Sequence, residues 1–214
     1  AAFKNEAAAT VFSSGYLANI GVVTSLLNEK DLVLADRLSH ASLVDAARLS
    51  RAKLWTYPHK DVSAVGALLE RGRSFRRKLV MTDAYFSMDG DIAPLSQLLE
   101  MCRKQNAMLM IDEAHSTGVF GKSGRGLSEH FGLEGKIDVV MGTLSKSLGS
   151  VGGFVAGQAT LKEYLVNRAR EFIYTTAPSP AASAAALESL KIILQNPAIR
   201  ERLWQNVRFM RERL

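Results

Sequence analysis

Short apolar runs alternate along the chain with stretches whose apolar residues recur at helical spacing. The runs Thr10–Phe12, Leu32–Ala35, Lys53–Thr56, Leu79–Thr82, Met108–Ile111, Val139–Met141 and Phe154–Ala156 read as strands. Helices are expected at Tyr16–Leu27, Ala41–Leu49, Val62–Glu70, Leu95–Gln105, Leu161–Arg168 and Ala181–Leu194. Leu95, Leu98, Leu99 and Cys102, for example, fall on one helical face. Strand followed by helix, repeated, predicts an α/β layer with a mostly parallel sheet flanked by helices. In such sheets a ligand sits beyond the carboxyl ends of the strands. Asp112, Thr143 and Ser13-Ser14-Gly15 all follow candidate strands, so they are expected to share one site.

Pro178 and Pro180 break the chain before an alanine-rich helix, and Pro197 opens a last one at a permitted first-turn position. Residues 1–195 therefore read as one large domain. Residues 196–214 read as the start of a helix leading to a smaller domain that lies outside this chain. The 214 residues, 47% of them hydrophobic, suit one large domain with a buried core. The chain begins Ala-Ala-Phe-Lys and ends in a helix-like pattern, and so reads as a piece of a longer protein. An organelle-targeting segment upstream stays open on that account.

The net charge is +6, with Arg71, Arg73, Arg76, Arg77 and Lys78 clustered. Few aromatics interleave with these charges, so no platform for stacking bases is expected. A solvated helix end and loop before a strand is the favoured reading. The single cysteine, Cys102, excludes an intrachain disulfide framework and fits a reducing compartment. It reads as a buried small hydrophobe, and a cytoplasmic location is expected. No apolar run reaches the roughly 18–20 residues of a membrane span.

The chemistry concentrates in two segments. Met110-Ile-Asp-Glu-Ala-His115 ends an apolar run in an acid and a histidine. Gly142-Thr-Leu-Ser-Lys146 ends another in a lysine among small residues. A lysine that forms an imine with an aldehyde, an acid that pairs with a pyridine nitrogen and a histidine beside the ring are what pyridoxal phosphate (PLP) requires. Lys146 must be reachable as a neutral amine. Asp112 would keep the pyridine nitrogen protonated, and Ala114 would pack under the ring. His115 would donate to the phenolic oxygen. Alone, Asp112 is better read as a turn cap and His115 as a structural histidine; their spacing changes the odds.

Further candidates are weaker one by one. His40, in a strand-to-helix turn, either stacks on the ring or starts a helix. Ser87, in Tyr85-Phe-Ser-Met-Asp-Gly90, offers a hydroxyl near the phenolic oxygen or serves turn chemistry. Thr143 offers a hydroxyl to a phosphate, and Gly15 and Tyr16, after a capping serine, offer amide N–H groups to it. Gly149, Gly152 and Gly153 would let backbone approach the ligand closely.

Together these segments resemble the α-oxoamine synthases, PLP enzymes of fold type I. The matching stretches are Phe12-Ser-Ser-Gly-Tyr16, Asp36-Arg-Leu-Ser-His-Ala-Ser42, Val80 to Leu95, Ile111 to Gly121, and Gly142-Thr-Leu-Ser-Lys146. The resemblance spans Val11 to about Pro180 and is strongest to the biotin-pathway branch, which joins L-alanine to a pimeloyl thioester with loss of CO₂. Glycine C-acetyltransferase, 5-aminolevulinate synthase and serine palmitoyltransferase share the lysine, aspartate and histidines. Glu113, where Asp is expected, and Tyr16-Leu17, where a Phe-Ala-like pair is common, depart from the branch.

The resemblance implies PLP linked to Lys146, which then removes the α-proton of the amino acid. Asp112, His115, His40, Ser87, Thr143, Gly15, Tyr16 and Ala114 would surround the cofactor. It also implies a homodimer with the site at its interface, where Thr175 or Thr176 reaches the partner's phosphate.

Three other classes fall away. Asp112-Glu-Ala-His115 also spells a helicase motif, but no Gly-x-x-x-x-Gly-Lys-Ser/Thr loop precedes it. A non-catalytic partner subunit would usually lack Lys146. His40, His59, His115 and His130 show no metal-ligand spacing.

Overall fold

The structure is a computed structural model and describes residues 1–213. A short 3-10 turn at Ala2–Lys4 leads into β1 (Ala8–Phe12), α1 (Gly15–Leu26), β2 (Leu32–Asp36), α2 (Ala41–Leu49), β3 (Lys53–Tyr57) and α3 (Val62–Arg71). Next come β4 (Lys78–Asp83), β5 (Tyr85–Phe86), β6 (Asp91–Ile92), α4 (Leu95–Lys104), β7 (Met108–Asp112) and α5 (Leu127–His130). The chain closes with β8 (Val139–Thr143), β9 (Gly153–Gly157), α6 (Ala159–Arg168), α7 (Arg170–Ile173), α8 (Pro180–Gln195) and α9 (Pro197–Arg211).

Seven strands form one sheet in the order β1-β9-β8-β7-β4-β2-β3. The run β8-β7-β4-β2-β3 is parallel, and β9 alone opposes its neighbours. Every expected strand and helix is present, with boundaries shifted by a few residues. The β5–β6 hairpin, α5 and α7 are additional.

The central strands are apolar throughout because helices cover both faces. Side chains alternate between those faces. Leu79 and Met81 join Ala18, Val22, Leu43 and Met110 on one side of the sheet. Val80, Leu109 and Ile111 join Leu98, Leu99 and Cys102 on the other. α1 is buried from Ala18 to Val23, packed against α2 and the β8–β9 end of the sheet. It therefore carries apolar residues all round. α4 buries only Leu95, Leu98, Leu99 and Cys102, the stripe its spacing predicts.

The basic cluster is absorbed by local structure. Arg76 makes two hydrogen bonds to Asp31, at 2.9 and 2.7 Å, and Arg77 donates to the Leu26 carbonyl. Arg71 lies over the Trp55 ring. α9 folds back onto the loop after β7: Arg200 donates to the carbonyls of Ile193 and Lys122, and the Trp204 ring nitrogen to that of Val119. No helix among the described residues is long and apolar enough to cross a membrane, and no cluster suited to a metal ion occurs among them.

Candidate active site

β4, β7 and β8 end side by side, and each delivers a polar residue to the same edge. Asp83 and Asp112 are register partners on adjacent parallel strands, and Thr143 closes β8. A cavity of about 250 Å³ opens there, lined by Gly15, Tyr16, His40, Asp83, Asp112, Ala114, His115, Thr143 and Lys146 among others. Eight of the expected site residues therefore converge, and only Ser87 does not line this cavity. Ser87 sits on the exposed β5–β6 turn, in an adjoining hollow that shares His40 and Asp83.

Lys146 Nζ lies 2.6 Å from His115 Nε2. Burial pushes the lysine below its ordinary pKa, against the pull of Asp112 and Asp83, so the neutral amine is more accessible. Burial, and then the Lys146 charge, lower His115 as well. One hydrogen thus bridges the amine and a neutral imidazole.

Asp112 is buried and held from two sides. Its Oδ1 accepts from the Ala114 N–H and its Oδ2 from Asn19 Nδ2, both at 2.9 Å. The two bonds fix the direction of the carboxyl group. Asp83 differs: burial, and then the charge of Asp112, raise it to about 7. Its bond to another residue is from the His40 N–H to Oδ2, at 2.8 Å. His40 caps α2, with Nδ1 2.7 Å from the Ser42 hydroxyl.

At the other end of the cavity α1 begins. Ser14 Oγ accepts from the Leu17 N–H, which leaves the N–H groups of Gly15 and Tyr16 without partners among the described residues. They form an anion site at a helix N-terminus. Thr143 is less available than its position suggests, since its hydroxyl lies 2.9 Å from the Gly152 carbonyl and donates to it. Ser145 Oγ, 2.7 Å from Thr143 Oγ1, then donates to it, and both hydroxyls line the cavity.

Two of the glycines after Lys146 also pack against backbone. A Cβ on Gly153 would lie 2.6 Å from the Gly15 backbone, and one on Gly152 would lie 3.0 Å from the Phe12 carbonyl. Gly153 lets β9 and the start of α1 pack backbone to backbone, which sets the anion site, and Gly152 lets the chain pass close to the end of β1.

Sequence reading missed Asn19, Asp83 and Ser145. Asn19 and Asp112 are ninety-three positions apart, and a polar residue within an apolar helix was the one available signal. A second cavity of about 420 Å³ shares Ala114, His115 and Lys146 and reaches α8 and α9, where Ile193, Ile199 and Leu203 line it, with Val119 from the loop after β7.

The arrangement defines a class: an open α/β sheet that presents an amine, a fixed carboxylate and an anion cradle at its carboxyl edge, the large-domain architecture of fold type I. The chain belongs to the family described as aminotransferase class I and II, whose model matches residues 1–214. It is 44% identical to the 8-amino-7-oxononanoate synthase of Thermosipho melanesiensis over 214 residues, all of this chain and 55% of that protein. The chain thus spans about half the length of that curated relative.

Among solved structures, serine palmitoyltransferase from S. paucimobilis with a bound PLP–myriocin aldimine superposes with a TM-score of 0.92. Identity there is 39%, covering 96% of this chain and 52% of that one. The 8-amino-7-oxononanoate synthase of Francisella tularensis gives a TM-score of 0.87 at 36% identity, covering 99% and 61%.

Proposed function

We propose that the protein is a PLP-dependent acyltransferase that condenses L-alanine with a pimeloyl thioester, carried by coenzyme A or an acyl carrier protein. The products are 8-amino-7-oxononanoate, CO₂ and the free thiol, a step of biotin biosynthesis. The observation that carries the reading is Lys146 held against His115 above the doubly anchored Asp112. The similarity to the synthases of Thermosipho melanesiensis and Francisella tularensis supports the choice of substrates.

The donor set fits the cofactor: free amides for a phosphate, a carboxylate for a pyridine nitrogen, an amine for an aldehyde, and a small Ala114 between them. When bound, PLP supplies an aldehyde for covalent capture of an amine and an electron sink for the carbanion. Gly15 and Tyr16 N–H groups bind its phosphate, with the Ser145 and Thr143 hydroxyl pair beside them. Asp112 would pair with the ring nitrogen, and Asn19 and the Ala114 N–H orient Asp112 for it. Lys146 Nζ accepts the α-proton of the amino acid, and His115 shares and orients the hydrogen on that amine. His40 borders the ring, Ser87 closes the adjoining hollow, and the apolar cavity toward α8 and α9 leaves room for an acyl chain.

The reading includes a cytoplasmic homodimer with the site at its interface, and residues 1–195 as a large domain whose last helices lead to a smaller one. The exposure of Val11, Val151, Ile173 and Tyr174 supports an interface on this side. Ser13 Oγ, 3.2 Å from Thr175 Oγ1, brings the threonine pair to the rim of the site.

A second reading, a serine palmitoyltransferase-like synthase, is favoured by the TM-score of 0.92 to that enzyme. Incubation of the full-length protein with PLP, each of L-alanine, glycine and L-serine, and a panel of acyl thioesters separates them by free-thiol release; the 214 residues alone should be inactive. Turnover with L-alanine and a pimeloyl thioester is expected. Release only with glycine and a short acyl group, or only with L-serine and a long one, would reject the biotin assignment.

A further inference from the structure

The β5–β6 hairpin carries Ser87 in the turn between two-residue strands, too short to be stable alone, and Met88 at its tip is 94% exposed. It is tied down by His59, in the loop between β3 and α3. His59 Nδ1 lies 2.9 Å from Asp36 Oδ1, and Nε2 lies 3.1 Å from Asp91 Oδ2. The ring also packs edge-on against Phe86, with centroids 4.4 Å apart. Lys60 doubles both ties: its N–H donates to Asp36 Oδ2 and its Nζ to Asp91 Oδ2, each at 2.9 Å. Asp36 ends β2 and accepts the Leu38 N–H, so it shapes the turn that delivers His40 to Asp83. The hollow between turn and hairpin is lined by Leu38, His40, Asp83 and Ser87.

Both ring nitrogens of His59 face carboxylates, and carboxylates only accept, so both nitrogens must carry hydrogens. We propose that His59, as an imidazolium bridging Asp36 and Asp91, is the positioning residue that holds the His40 turn and the Ser87 hairpin at a fixed separation beside the site. The proposal deepens the cofactor reading above and rests on it for its ligand.

Burial opposes the charge on His59, but the bonds to Asp36 and Asp91 outweigh it and raise the imidazole above its ordinary value. The clamp is complete below that ordinary value and is lost as pH rises through the raised one, when one carboxylate loses its donor. The groups facing the ring are Asp36 from β2, Asp91 from β6, Phe86 from β5 and the Lys60 cation from its own loop. Asp61 is occupied by the Ala64 N–H and Ser63. Asp89 sits on the exposed hairpin turn, and Asp83 lies beyond the Leu38 turn.

The test follows the His59 imidazole by ¹⁵N NMR, backbone amide exchange of residues 85–92 relative to α4, and PLP affinity, from neutral to alkaline pH. In the unsubstituted protein, hairpin protection and PLP affinity should fall together at the pH where His59 loses its proton. His59→Gln should weaken PLP binding about tenfold at pH values below the His59 midpoint, remove the His59 step from that pH profile and speed hairpin exchange. Asp91→Asn, which removes one tie, should lower the His59 midpoint and shift the profile with it; this variant decides the matter if His59→Gln does not fold.

Wild-type affinity and pH profile in both variants, or an imidazole that titrates at or below its ordinary value, would overturn the proposal. Should the unsubstituted protein fail to bind PLP, the cofactor reading falls, while titration and hairpin exchange without ligand still decide the clamp.

Discussion

Asn19 Nδ2 donates to Asp112 Oδ2 at 2.9 Å and to the Ser42 hydroxyl at the same distance, joining α1, β7 and α2 behind the site. A buried carboxylate that loses such a donor loses about 1.5–3 kcal/mol. Asn19→Ala should lower stability in urea by about that much and weaken PLP binding about tenfold. Equilibrium unfolding and PLP titration measure the two effects separately. Unchanged affinity would mean that Asp112 is oriented by the Ala114 N–H alone.

Lys146 is the residue whose loss should be complete. Lys146→Ala should abolish both the imine absorbance band and borohydride-trapped label on the protein. Lys146→Arg should do the same, since arginine stays protonated and cannot take up the carbonyl. Peptide mapping after reduction is the check, and label on any other lysine would displace the assignment.

Asp83 makes stability depend on pH in a particular direction. Its folded pKa, about 7, lies above the ordinary 3.8, so the folded state binds the proton more tightly. Its contribution therefore holds at low pH and declines as pH rises between those two values. Asp83→Asn keeps an oxygen for the His40 N–H and removes the charge. The variant should lose this decline and gain up to about 4 kcal/mol at neutral pH. Chemical denaturation of the ligand-free protein at a series of pH values reads it out.

Cys102 lies inside the layer under α4, and burial pushes its thiol up to about 12. It should therefore resist thiol reagents in the native protein at mildly alkaline pH and react fully once unfolded. The rate of labelling across a urea series checks this.

Gly153→Ala should be among the most costly small changes. The new methyl would fall 2.6 Å from backbone atoms of Gly15 and Ser14, which cannot rotate away. Overpacking of this kind costs about 1–3 kcal/mol. Because it pushes on the start of α1, PLP affinity should fall with stability. A melting-temperature shift with unchanged affinity would separate the packing from the anion site.

Asp112 and Lys146 were legible because each closes an apolar run, and strand ends are where parallel sheets place their ligands. The strands were legible for the same reason: buried on both faces, Met108–Asp112 and Val139–Thr143 read as unbroken apolar runs. The β5–β6 hairpin was not, since its two-residue strands flank Ser-Met-Asp-Gly, which spells a turn and nothing more. Asp83 escaped notice because its significance comes from register with Asp112, a relation between strands that neither segment carries alone. Gly153 was read as making room for a ligand because its packing partner, Gly15, is distant in sequence. Ser87 lines a hollow that adjoins the cavity through His40 and Asp83, a placement that its turn-like segment does not reveal.

Lys4 is buried, and its ammonium reaches the Glu113 carboxylate, the Thr117 hydroxyl and the Arg125 carbonyl. Glu113 follows Asp112 directly, and the loop spanned by these contacts contains His115. The segment that carries Lys4 is thus a mooring for the loop after β7. Loss of the Lys4 ammonium would leave a buried acid without its counter-ion one residue from Asp112, and the damage would register at the candidate site although nothing there had been altered.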